Sequence, residues 1–292
     1  MTDPWALGGA PALQTHAPTA ASALHALVGQ WPEVLDVVEL AAIRTAAAEA
    51  LGLPPLVRPP TGPRRLSEQP PLPVLAFAEQ YAVDVTVLDV RMRDGWLSAF
   101  GRRVEQATEA LHVADVVPRA RVVLDTLFGD DEWFDPELRR SGHSPLLLAE
   151  LEREVRLLDG LDEVTSELVR LRVARAVGAR DELALRYLPA VEAGADAATF
   201  QAADHYRGAG LTPTQQAALA LADGAVFMPA DLRTADVRAV HEHLTPAQAV
   251  EVVLDVVVHS RAKGRVALGR DLPGHDGVRL FSIDDEGQRH LV

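Results

Sequence analysis

The chain has 292 residues, 48% of them hydrophobic and 24% charged, the balance of a globular protein of one or two domains. A formal charge of −14 argues against partners that are nucleic acid or anionic membrane. Cysteine is absent, which removes disulfides, thiolate metal ligands and thiol catalysis together. No apolar run is long enough to span a bilayer. The opening Met1-Thr-Asp-Pro-Trp has no basic segment followed by an apolar one, so the expected location is the cytoplasm.

Residues 1–31 are rich in Ala, Pro, Gly and Thr without clear periodicity and are expected to form a loosely ordered arm. Pro32 to Leu51 predicts an Ala-rich helix with Val34, Val38, Ala41 and Ala42 on one face and Gly52 at its end. Leu53 to Pro73 holds too many prolines for a helix and reads as an extended connector in preference to an SH3-type ligand. Val83 to Val90 alternates like a strand, but a turn leading into a helix is favoured. Asp162 is positioned to cap a helix whose buried stripe is Val164, Leu168 and Leu171. Thr212-Pro-Thr-Gln215 and Thr245-Pro-Ala-Gln248 each supply a capping Thr, Pro at the first helical position and a Gln three residues on. Helices are therefore expected to start near 213 and 246. The second should run through the β-branched stretch Val252 to Val258, because that stretch directly follows a capping box.

A weak internal repeat relates Leu75–Glu79 to Leu219–Asp223, and Glu105–Glu109 to Glu251–Asp255. It suggests two related helical halves, although two amphipathic helices can look alike without being related. The expected organisation is an arm, helix and connector over 1–73, a first helical half over 74–155 and a second over 156–292.

One stretch carries a spacing of chemical interest. Glu167 is followed by eleven residues and then Ala179, by two and then Glu182, and by three and then Arg186. This stretch resembles the signature helix of the alkylhydroperoxidase/carboxymuconolactone decarboxylase family. Peroxidase members place a Glu, then Cys-x-x-Cys and a His at these positions. Leu161–Ala174, Glu192–Ala197, Ala217–Asp223 and Thr245–Gly269 resemble the family's flanking segments, the last its closing long helix. Phe77–Asp84 and Pro118–Gly129 resemble the leading half of its longer members. The likeness covers about 74–285 and leaves 1–73 outside it. It implies an all-α, alkylhydroperoxidase-like helical bundle with two related halves, assembled as a homo-oligomer.

Ala179 and Glu182 stand where the thiols would be, so peroxide reduction has lost its nucleophile. Glu167, set among Leu168, Val169 and Leu171, is the candidate acid/base if it faces a pocket. Its bland alternative is a salt bridge to Arg170 or Arg172. Glu182 and Arg186, four apart, are expected to form a helix ion pair, or else Arg186 clamps a substrate carboxylate. His259 is a further candidate for the pocket, beside the alternative of a structural histidine. Glu105, Glu109 and His112, and again Glu251, Asp255 and His259, have partial metal-ligand spacing, but neither set completes a carboxylate-bridged site. His241 to His243 reads as a polar helix end, and His205-Tyr206 as a surface turn. Phosphate-loop and nucleophile-elbow patterns are absent.

The resulting expectation is a cofactor- and metal-independent lyase, decarboxylase or isomerase acting on a small organic acid or lactone. A noncatalytic small-molecule-binding or scaffold protein is the alternative. A coupled peroxidase assay on purified, metal-free protein should show no thiol-dependent peroxide turnover.

Overall fold

The computed structural model describes residues 3–57, 72–141, 144–208, 210–272, 274 and 277–292. The fold is all-α, with two small sheets added to the helices. No helix among the described residues is long and apolar enough to cross a membrane.

Residues 3–31 are not a loose arm. They form α1 (Gly9–His16) and α2 (Pro18–Val28), with Leu13, Leu24 and Leu27 buried. Their alanines are the reason. Small side chains blur an amphipathic pattern, yet they let a helix approach its neighbour closely, and Ala12, Ala17, Ala20 and Ala23 are all buried. Gly9 shows how close the approach is, since a Cβ there would lie 2.9 Å from the backbone nitrogen of Asp125. Trp5 stacks on Phe128 with ring centroids 5.0 Å apart and anchors the start of the chain.

A short strand, β1 (Gln30–Pro32), precedes α3 (Val37–Glu49). Asp36 and Glu39 close a capping box at its start. The inward face is not the one expected. Leu40, Ile43, Ala46 and Ala47 are buried, while Val34, Val38, Ala41 and Ala42 are only half-buried. The misleading residue is Arg44, which lies inside and donates to the carbonyls of Val28, Gln30 and Val57 at 2.8, 3.0 and 2.6 Å. Burial lowers its pKa to about 10. Most of the Pro-rich connector lies outside the described residues, although Leu53 and Leu56 at its start are buried.

Next come α4 (Leu72–Val83) and, after one tight turn at Val85–Val87, α5 (Val90–Phe100), as the turn-into-helix expectation required. The 25-residue α6 (Val104–Phe128) is the central helix. After it β2 (Arg139–Ser141) pairs in parallel with β1. Then follow α7 (Ser144–Arg156), α8 (Glu163–Ala176), the single turn α9 (Arg180–Leu183), β3 (Leu185–Tyr187), α10 (Leu188–Glu192) and α11 (Ala197–Ala202). The last third holds α12 (Pro213–Phe227), α13 (Thr234–His243), α14 (Pro246–His259), α15 (Ala262–Ala267), β4 (Arg279–Ile283) and β5 (Arg289–Leu291).

The expected caps are present. Asp162 accepts from the Thr165 backbone N–H at 2.9 Å, and Thr212 and Thr245 each close a full capping box. The closing helix is broken, however. It ends at His259, and α15 begins at Ala262.

Two apolar cores meet along α6. Its C-terminal half packs with α1, α2, α7, α8, α12 and α14, and its N-terminal half with α3, α4, α5 and α15. Buried Asp115 lies between them. It accepts from Arg119 Nε at 2.8 Å and from Lys263 Nζ at 2.5 Å, while Arg119 also donates to the Ala82 carbonyl. Burial alone would raise the Asp115 pKa, but the two cations hold it below the usual carboxylate range. α6 also packs against α14.

Because α2 is part of the core, Leu27→Ala should cost about 2–5 kcal/mol in urea unfolding. A loose arm would give no measurable loss.

Candidate functional site

The Glu167–Arg186 stretch does not form one helix. Asp162 starts α8, and the chain leaves it at Gly178, whose φ of 70° suits glycine. Ala179 is buried there, one helical turn carries Glu182, and the chain then enters β3. This break decides the fate of the residues expected to act together.

Glu167 is 1% exposed, and both of its oxygens are taken by Arg170, Oε2 from Nε at 2.7 Å and Oε1 from Nη2 at 2.8 Å. The same guanidinium donates to the Glu182 carbonyl and to the Leu185 carbonyl, each at 2.9 Å. Burial by itself would lower the Arg170 pKa, but Glu167 and then Glu182 raise it above its ordinary value. Glu182 in turn faces Arg289 at 3.1 Å, Arg265 at 3.2 Å and Arg170 at 3.3 Å. Burial would raise its pKa, yet these cations bring it down to about 2, so it is ionised.

The expected Glu182–Arg186 ion pair does not form. Four residues make one turn only inside a helix, and here the helix stops at Leu183. Arg186 donates instead to the carbonyls of Leu183 and Leu185 at 2.9 and 2.6 Å and lies over the Phe200 ring. It lines neither cavity described below, so the clamp reading loses its residue.

His259, at the end of α14, does belong here. Its Nε2 lies 3.7 Å from Asp255 Oδ1, too far for a hydrogen bond. Burial, then Arg170 and Arg289, push its pKa well down, so the ring is neutral. His259 stands in the wall between two cavities. A cavity of about 250 Å³ lies between α8, α14 and the sheet of β3, β4 and β5, and Glu167, Glu251, Asp255 and Phe281 line it. A larger cavity of about 550 Å³ lies between α6, α7 and α15, with Glu182 on its wall. Arg156 and Arg289 join His259 in lining both. The structure therefore brings Glu167, Glu182 and His259 together and leaves Arg186 outside.

The smaller cavity also holds two carboxyl groups whose spacing had suggested a partial metal site. Glu251 Oε2 accepts from the backbone N–H groups of Gly160 and Leu161 at 2.7 and 3.2 Å. Gly160 allows this approach, because a Cβ there would sit 2.7 Å from that oxygen. Burial still pushes the Glu251 pKa up to about 7. One turn on, burial and then the Glu251 charge push Asp255 well above the ordinary carboxylate range. Among the described residues no group of three His, Asp or Glu side chains is placed to hold a metal ion. The i, i+4 spacing of Glu251, Asp255 and His259 was visible in the sequence. Their depth was not, because the sheet that covers them comes from residues 185–187 and 279–291.

Two other polar readings change. His241 and His243 do end a helix, α13, but His241 Nε2 lies 3.0 Å from the Leu127 carbonyl oxygen and its ring packs on Trp5. Tyr206 is buried, not at the surface, and its hydroxyl donates to Asp223 at 3.0 Å.

No family model and no solved structure matches the chain. Relatives are found among curated sequences. Uncharacterized protein Rv2313c of Mycobacterium tuberculosis (strain ATCC 25618 / H37Rv) is 31% identical over 259 residues, covering 84% of this chain and 89% of the relative. Uncharacterized protein MT2376 of M. tuberculosis (strain CDC 1551 / Oshkosh) matches at the same identity and coverage.

The Glu167–Arg170 pair should be unequal under substitution. Arg170→Met leaves a buried carboxylate unpaired and should cost about 3–5 kcal/mol in urea unfolding. Adding Glu167→Leu to that variant should recover a large part of the loss.

Proposed function

The chain belongs to the family of Uncharacterized protein Rv2313c of M. tuberculosis, and for this member of it we propose cysteine-independent acid/base chemistry on a small organic acid or lactone. The observation that carries the reading is Glu251, a carboxyl with a pKa of about 7 lining a cavity of about 250 Å³. A group poised near ambient pH both takes and returns a proton efficiently. Burial pushes the Asp255 carboxyl, one turn away, well upward, and in its protonated form it is a hydrogen-bond donor for an oxyanion that develops on the substrate. Arg289 lines the same cavity, and its Nε is buried with no partner among the described residues, which suits a substrate carboxylate.

In this scheme ionised Glu251 removes a proton from the carbon beside the substrate carbonyl. The electron pair moves onto the carbonyl oxygen, which Asp255 stabilises. Return of the proton to a different carbon gives an isomerase. Loss of a leaving group from the enolate gives a lyase. Glu167 acts here by fixing Arg170 and not as the base, since both its oxygens are occupied. The resemblance of the Glu167–Arg186 stretch to the alkylhydroperoxidase/carboxymuconolactone decarboxylase family favours the same substrate class. Within this reading the protein is a cytoplasmic homo-oligomer.

Solvent deuterium incorporation, followed by NMR over a panel of small 2-oxo acids, unsaturated acids and lactones, tests the proposal. The native protein should catalyse exchange beside the carbonyl of at least one member, and Glu251→Gln should slow it about 10²–10⁴-fold. Absence of exchange over the panel, or an unchanged rate in Glu251→Gln, overturns it.

Glu251 also has a stability signature. It titrates near its ordinary 4.5 when unfolded and near 7 when folded, so between these values the folded protein keeps a proton that the unfolded chain has lost. Its contribution is full below pH 4.5 and is lost as pH rises through 7. The stability of the native protein relative to Glu251→Gln should therefore fall across that window, by on the order of 3 kcal/mol in pH-resolved urea titrations.

A further inference from the structure

We propose that the larger cavity, of about 550 Å³, binds a small zwitterion of the α-amino-acid class, its ammonium on Glu109 and His112 and its carboxylate on Arg261. The site begins on α6, where Glu105, Glu109 and His112 share one face. His112 is 3% exposed, and its Nδ1 is buried with no partner among the described residues. One turn earlier Glu109 Oε2 is also buried without a partner. Two buried acceptors one helical turn apart, unmatched among the described residues, call for one group with several N–H donors. Burial brings the His112 pKa down to about 3, so the ring is neutral and able to accept.

The charges around the cavity favour a mixed ligand. Five arginines and four glutamates line it: Arg156, Arg261, Arg265, Arg270 and Arg289 with Glu105, Glu109, Glu152 and Glu182. A polyanion would meet the carboxylates and a simple cation the guanidiniums. The other three glutamates are in ion pairs, Glu152 with Arg156 and Arg261, Glu182 with Arg265 and Arg289, and Glu105 with Arg270. Among the described residues Glu109 has only Arg261, with Nη2 3.8 Å from Oε1, beyond hydrogen-bond reach. That guanidinium therefore stands beside Glu109 and within electrostatic reach of His112, as an α-carboxylate beside an α-ammonium requires. A side chain would extend toward the half-exposed Arg265 and Arg270 at the mouth. The inference does not rest on proton transfer in the smaller cavity.

Isothermal titration of the full chain with the common L-α-amino acids, one at a time, tests it. At least one should bind. Its α-hydroxy acid analogue, lacking the ammonium, and its amine analogue, lacking the carboxylate, should each bind about tenfold more weakly or worse. Glu109→Gln should weaken the amino acid by a similar factor, and so should His112→Leu, which replaces an orphan acceptor by an apolar group and keeps the fold, as a melting curve without ligand checks. Glu251→Gln should bind as the native protein does. Binding by no amino acid, equal binding of either analogue, or full affinity in folded Glu109→Gln overturns the inference. Amino-acid binding without exchange chemistry would overturn the acid/base reading alone.

Discussion

A guanidinium withdrawn from water needs an acceptor for almost every N–H, and Arg170 finds them on three successive elements. It holds Glu167 on its own helix, the Glu182 carbonyl and side chain on α9, and the Leu185 carbonyl on β3. Its charged face also lies over Phe281 of β4, 5.2 Å from the ring centroid. The chain after Gly178 is thereby pinned to α8, and the three-stranded sheet is pinned to the chain. That sheet roofs the smaller cavity, so the depth of Glu251 and Asp255 follows from how Arg170 is satisfied.

The same device recurs through the molecule. Arg44 ties together the carbonyls of Val28, Gln30 and Val57. Arg119 reaches Ala82 and Val226, and Arg93 of α5 reaches Ala267 of α15. In each case a planar, always-charged fork satisfies backbone acceptors from distant segments, as a lysine with one mobile ammonium does less well. Lys263 is the single lysine of the chain, and it has been placed against Asp115 and over the Tyr81 ring. Burial lowers its pKa to about 8, while Asp115 opposes the shift. A core assembled this way joins segments that apolar packing alone would leave free to shift.

Glu182 and Glu251 show how neighbours divide one residue type between roles. Both are largely withdrawn from water, and burial pushes both upward. Glu182 has three guanidiniums within 3.3 Å and stays ionised as part of the scaffold. Among the described residues Glu251 has two backbone N–H groups and no cation against it, so burial and the Asp159 carboxylate hold its proton to about neutral pH. The wall of His259, Arg156 and Arg289 separates these environments by the thickness of a few side chains.

Local signals in the sequence were sufficient for much of the helical frame. The Asp162, Thr212 and Thr245 caps act within three residues, and the Val252–Val258 helix follows from one of them. Absence of cysteine settles the fate of thiol chemistry without any structure. What the sequence left open was whatever depends on distant partners. Alanine-rich α1 and α2 have too weak a pattern to be read alone and are ordered by α6 and α7. Arg44 looks like a surface residue until three carbonyls surround it. The Glu182–Arg186 spacing implies a pair only if one helix spans both, and the turn at Gly178 together with strand pairing to residues 279–281 ends that helix early. The raised pKa of Glu251 was equally out of reach, because a pKa is set by the solvent and charges that tertiary packing removes or supplies, and periodicity along the chain records neither.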